Sequence, residues 1–156
     1  MPDARVRSRL LKQAAPIVLL LALNALWLKA LTLGFFIIDD PFYVTGNPVI
    51  RGGFSVHAVA WAFSTTYLGF WIPLSWLSLA LDVSWFGGAA WGYHLTNVLL
   101  HAANALLVYA LFQRMTKARW LSFLAAALFS LHPLRVEAVV WITERKEGRA
   151  AVLSLL

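Results

Sequence analysis

The sequence predicts an all-α polytopic membrane protein with about three complete transmembrane helices, the start of a fourth, and a long first extracytoplasmic loop carrying short amphipathic interfacial helices. Three observations carry that prediction. Hydrophobic residues make up 61% of the 156 and charged residues only 13%, against roughly a half and a quarter in soluble domains. Two apolar runs, Ala15 to Ile38 and Tyr93 to Met115, each reach about the 20 residues that a bilayer crossing takes. Basic residues gather at one end of each run: Arg5, Arg7, Arg9 and Lys12 before the first, and Arg114, Lys117 and Arg119 after the second.

Taken in order, residues 1–14 form a basic N-terminus, cytoplasmic by the positive-inside rule, and 15–38 the first span. A cleaved signal peptide competes with that reading, since IVLLLALNALWL follows a basic stretch. However, the apolar run resumes after Lys29 and no small-x-small cleavage site follows it. Lys29 itself is read as snorkelling or pairing within the membrane and has no assigned role. Residues 39–92 make the extracytoplasmic loop, opened by the helix breakers Pro41, Gly46, Asn47, Pro48, Gly52 and Gly53. Within it, 54–64 and 71–82 are apolar but too short to cross, which suits helices lying in the interface. A crossing built over 68–81 would invert everything downstream, but Pro73, Ser75 and Ser78 interrupt it and Asp82 ends it.

The second span covers 93–115 and a cytoplasmic turn covers 116–119. Residues 120–142 then climb outward as a third span, with Pro133 as a kink or helix end. A short extracytoplasmic loop, 143–149, leads into AAVLSLL at 150–156, read as the start of a fourth span and hence as the front of a longer protein.

Composition also excludes chemistries. With no cysteine, the chain has no disulfide, no thiolate metal site and no Cys nucleophile. Eight tryptophans, ten phenylalanines and four tyrosines place much of the chain at a lipid and water boundary. The net charge of +6 sits in short clusters, which speaks for topology and anionic head groups and against nucleic acid. No P-loop, GxSxG, HExxH or dinucleotide fingerprint occurs.

Three constellations remain as candidates for chemistry. The first is Asp39 and Asp40, where the first apolar run ends. Ionisable residues beside a span are costly and count as functional candidates; a solvated stop signal is the plainer reading. A carboxylate here suits general-base removal of a proton from an acceptor hydroxyl, its pKa raised by partial burial and by a neighbouring negative charge. The second is His94, Asn97, His101 and Asn104, which share one helix face. Inter-helix hydrogen bonding accounts best for Asn97 and Asn104, while His94, nearest the outer end, is the ligand-contact candidate. The third is His132, Arg135, Glu137, Arg145 and Lys146. Together with Arg149, its cations break the orientation rule that the other basic ends obey. Either an anionic ligand holds them there, or they pair with Glu137, Glu144 and Glu147 in a solvated loop. A divalent metal stays unassigned, because two carboxylates fall short of the oxygen ligands that Mg²⁺ or Ca²⁺ takes.

The segments DDPFYVTGNPVIRGG, WAF, WIPLSWLSLALD, GYHLTNVLLHAANALL and LFSLHPLRVEAVVWITERK resemble, in order and spacing, the N-terminal membrane region of the tetratricopeptide-repeat O-mannosyltransferase family and its bacterial relatives. That family is placed in the GT-C superfamily of polytopic glycosyltransferases. The resemblance implies inverting transfer of a sugar, with mannose expected, from a polyprenyl-phosphate carrier to an acceptor hydroxyl on a protein or another envelope molecule. It implies a site on the periplasmic face of a bacterial inner membrane, or the lumenal face of the endoplasmic reticulum. Asp39 or Asp40 would be the base and the two short helices would roof the carrier's access. His132, Glu137, Arg145 and Lys146 would belong to the side that meets the carrier's phosphate and the leaving group, with His94 and Arg135 as further substrate-contact candidates on the residues alone. The family continues RKD where this chain has Glu147 and Gly148, and its later helices and repeats are not in these residues, so the stretch alone is expected to be inactive. A transporter or flippase fragment, or a scaffold, is the reading from other function classes.

Overall fold

The computed structural model describes residues 4–148 and 150. Residues 1–3, Arg149 and the run 151–156 lie outside the described residues, and with them most of the expected fourth span. Among the described residues all regular structure is helical.

Among the described residues, two helices are long and apolar enough to cross a membrane, Ala14–Thr32 and Ala90–Thr116. The first is composite: the α-helix α1, Ala4–Asn24, tightens into a 3₁₀ helix over Ala25–Thr32. A 3₁₀ turn rises about 2.0 Å per residue against 1.5 Å in an α-helix, so this crossing reaches about 30 Å in fewer residues. It is shorter than the expected 15–38. Beyond Thr32 the backbone turns extended at Leu33, and residues 33–36 are irregular.

The loop that follows folds into a compact cap. A π-helical turn, Pro41–Thr45, closes on Gly46, whose N–H donates to the Pro41 carbonyl at 2.6 Å. A Cβ there would stand 2.5 Å from that oxygen, so only glycine fits. Asn47 caps α2, Pro48–Arg51, by accepting from the Val49 and Ile50 amides. Ser55 caps α3, Val56–Ser64, by accepting from Ala58. Next comes α4, Pro73–Phe86, with proline at its first turn. The expected helix 71–82 therefore runs a turn further, because Asp82 is buried inside it and does not end it. Trp76 of α4 is the centre of the cap: Tyr43 stacks on it at 4.9 Å, and Trp61 and Tyr67 meet it edge-on.

The second crossing is α5, Ala90–Thr116, capped by Lys117 in the left-handed region. The tight turn behind it sends α6, Arg119–Leu131, back against α5. Ala105, Val108 and Tyr109 of α5 pack there with Ala126 and Ala127 of α6 and Leu20 of α1. The expected third run, 120–142, is broken at Pro133, where a kink or helix end was expected. Helix α6 has 13 residues, about 20 Å of rise, and stops at His132, held extended as a residue before proline must be. The chain resumes as α7, Arg135–Val140. Val139 is buried with Ala30 and Val98, so α7 lies against the last turns of the 3₁₀ segment and the first half of α5.

Candidate functional site

The cap, the end of the first crossing and the residues after α7 meet at one end of the molecule, and Asp40 sits where they converge. It is fully buried. Its Oδ2 accepts from the Phe36 amide at 2.7 Å, while Oδ1 accepts no hydrogen bond of normal geometry. Burial pushes its pKa from 3.8 up to about 6, helped by Asp39; the Phe36 and Thr143 amides and the Arg145 charge pull the other way. Asp39 is half-buried beside it, and its backbone carbonyl anchors the turn by accepting from the Phe42 and Tyr43 amides.

Of the late cations, Arg145 acts on this acid's charge and Lys146 on Tyr43 in the turn that follows it. Burial raises the Tyr43 hydroxyl's pKa, and that hydroxyl feels the charges of Lys146, Asp39 and Glu144. Lys146 is half-buried, donates to Glu144 at 2.8 Å and lies 5.4 Å over the Phe70 ring. It forms the charged end of an apolar groove of about 370 Å³, walled by Phe63, Trp71, Ile72, Pro73 and Leu74. A cation at the mouth of an aromatic, apolar trough suits a molecule with a hydrocarbon tail and an anionic head.

Arg145, expected to meet such an anion, turns inward. It is 1% exposed. Its Nη1 pairs with Asp82 Oδ2 at 2.5 Å and also donates to Ser78. Nε donates to Asn97 Oδ1 at 2.7 Å and Nη2 to the Tyr93 carbonyl at 2.8 Å. Thr96 donates to the other Asp82 oxygen. The cation that broke the orientation rule is thus held by an acid on α4, a partner that sequence reading had taken for a helix terminator.

The polar face of α5 is used as fastening. Asn97 donates to the Val139 and Trp141 carbonyls and Asn104 to the Gly148 carbonyl, which bears out the inter-helix reading of both. His101 contacts the Ser130 carbonyl at 3.0 Å and stacks on Phe129, and Ser130 in turn donates to Asn24 of α1. Between these groups remains a void of about 10 Å³, room for about one water. His94 is fully buried, with Nε2 facing the Gly34 carbonyl and Nδ1 unpartnered.

The remaining candidates sit apart from Asp40. His132 and Glu137 are exposed on the break between α6 and α7. Arg135 lies 4.8 Å over Phe129 and lines the small void together with His101 and Asn104. No hydrogen bond or ion pair among the described residues ties these three to the Asp40 side. Among the described residues, no three His, Asp or Glu are grouped to hold a metal ion.

The chain is 33% identical to the Drosophila melanogaster protein O-mannosyl-transferase Tmtc2 over 84% of its own length, and 33% identical to the Mus musculus protein O-mannosyl-transferase TMTC1 over 79%. It is 41% identical to the Mus musculus protein O-mannosyl-transferase TMTC2 over 54%. It spans only 15%, 14% and 10% of the length of these three relatives. No family model and no solved structure matches the chain. By this homology the chain is one stretch of the tetratricopeptide-repeat-containing protein O-mannosyl-transferase family.

Proposed function

We propose that this chain forms part of the transfer site of a polytopic, inverting GT-C-type membrane glycosyltransferase that moves mannose from a polyprenyl-phosphate carrier to a hydroxyl on a protein. The observation that carries this reading is the pairing of a buried carboxylate, one oxygen unused and pKa near 6, with a lysine-ended apolar groove on the same side of the molecule. In the step proposed, Asp40 takes the acceptor's O–H proton as the oxygen forms its bond to the anomeric carbon. The bond from that carbon to the carrier's phosphate oxygen breaks, and its electron pair leaves with the phosphate. Lys146 balances the charge that develops on the leaving group. The first isoprene units lie along Phe63, Trp71 and Leu74.

Asp39 raises the basicity of its neighbour and fixes the turn. Arg145 serves as the strut beneath Lys146. His94 holds the segment that leads from the first crossing to Asp40. His132, Arg135 and Glu137, at the α6–α7 break, face parts of the longer protein. The broken α6–α7 pair is the third crossing, which keeps Asp40 and Lys146 on the extracytoplasmic face. The α5 polar face, fastened as described, favours this reading over a solute pathway.

The test is transfer by the full-length protein reconstituted in liposomes with mannosyl-phosphoryl-polyprenol and a Ser/Thr peptide. Wild type transfers mannose, and Asp40→Asn does so at least about 100-fold more slowly. Transfer unchanged in Asp40→Asn removes the proposed base; transfer from a soluble nucleotide sugar but not from the lipid removes the proposed donor.

A further inference from the structure

Helix α4 touches every part of the proposed site. Pro73 and Leu74 wall the groove that ends at Lys146. Trp76 stacks on Tyr43, in the turn that Asp40 begins. Ser78 and Asp82 hold the guanidinium of Arg145, the residue next to Lys146. One rigid element therefore sets the spacing between the acid and the cation.

The bonds are placed for that task. Among the described residues of the segment following α7, Arg145 is the buried charged side chain; its partners Asp82, Asn97 and Tyr93 are buried and Ser78 is half-buried. Asp82 is fixed on its far oxygen by Thr96 of α5, so the carboxylate is held from two sides before it meets Arg145. The residues from Thr143 to Lys146 bring the Thr143 amide to Asp40 and Lys146 to the groove. Besides the clamp, that segment is held by Ile142 in the cap core and by the bonds of Asn97 and Asn104 to the Trp141 and Gly148 carbonyls; the clamp is its charged tie to α4.

From this geometry we infer that Asp82 is a positioning residue for the transfer site, acting through Arg145 to hold Lys146 and the Thr143 amide at a fixed distance from Asp40. The inference rests on the transfer reading given above. It assigns Asp82 no contact with substrate. A cation displaced by about 1 Å loses much of its effect on a leaving group, so the residue matters to the donor side and not to acceptor binding.

Two measurements on the full-length protein test it. Nitroxide labels at the exposed positions Thr45 and Glu147 report the separation of the two halves by double electron–electron resonance. Wild type and Asp82→Glu are expected to give a narrow distance distribution and Asp82→Asn a broad one. Should Asp82→Asn fail to fold, Asp82→Asn/Arg145→Gln, which leaves no lone buried charge, takes its place with the same expected broadening. In the liposome assay, counted per folded molecule, Asp82→Asn is expected to raise the KM for the lipid donor about tenfold and leave the KM for the peptide unchanged. Asp82→Glu restores the donor KM. A narrow distribution in Asp82→Asn, or equal changes in both KM values, overturns the positioning role. Broadening in a protein whose wild type transfers no mannose from the lipid supports the clamp and overturns the transferase reading instead.

Discussion

Asp40 and Asp82 are both buried carboxylates of the cap, yet their surroundings are opposite. Asp82 has a guanidinium on one oxygen and a threonine hydroxyl on the other. Asp40 has the Phe36 amide on one oxygen, no hydrogen bond of normal geometry on the other, and the Thr143 amide as a further, weaker influence. The first is a finished structural joint, because a buried charge with its partner in place is held in one position. The second is under-satisfied in a way that folding alone does not favour, which is the usual mark of a working group. The same contrast separates Arg145, enclosed on four partners, from Lys146 beside it, which faces the groove.

The largest effect expected from this contrast is on transfer. Asp40→Asn in the full-length protein should slow mannose transfer by about 10²–10⁴-fold, while the thermal midpoint in detergent stays at or above that of wild type. A fall in stability of several kcal/mol instead would make Asp40 a second joint and dissolve the comparison. Next in size is the loss of the joint itself. Asp82→Ala strands the Arg145 charge and should cost about 3–5 kcal/mol of stability, whereas replacing the pair together as Asp82→Leu/Arg145→Met should cost far less. Chemical denaturation of the detergent-solubilised protein reads both.

Lys146→Gln comes third. It should raise the KM for the lipid donor about tenfold through loss of a charge-assisted contact, yet alter stability by less than about 1 kcal/mol, because its pair with Glu144 is partly exposed. The smallest effect is a matter of sign. Folding raises the Asp40 pKa from 3.8 to about 6, so the protonated acid favours the fold. That stability is fully present below pH 3.8 and is lost as pH rises through about 6. Asp40→Asn should therefore match wild type near about pH 4 and exceed it in thermal stability above about pH 6; melting curves across that window check the direction.

Much of this was legible in the chain. The apolar runs located both crossings, though the exit of the first was placed late, since hydropathy is blind to the switch at Leu33 from helix to extended backbone. Pro133 announced the break in the third run. The spacing of His94, Asn97, His101 and Asn104 named the polar face of α5, because helical periodicity is local. Its partners, the carbonyls of Gly34, Ser130, Val139 and Gly148, were not legible, because backbone groups carry no signature. Asp82 was the residue missed. Its signal was an acid set between Trp76, Leu79 and Leu81 on one side and Val83, Trp85 and Phe86 on the other, in SWLSLALDVSWF, a setting where a charge survives only with a buried partner. That partner lies 63 residues away, beyond any local pattern, and so Arg145 was assigned to an external anion. Topology alone gave the expectation that Asp40 and Lys146 share one face. That Asp40 is enclosed and Lys146 borders a groove came from the tertiary packing around Trp76.

The central claim, that Asp40 is held under-satisfied so that it can accept a proton, is tested most directly by titrating its carboxyl in the full-length protein. The infrared band of the protonated acid, isolated as the difference between wild type and Asp40→Asn, should vanish with a midpoint at about pH 6, in step with the acid limb of mannose transfer. A midpoint near the ordinary 3.8 would mean a solvated carboxylate, and would contradict the account.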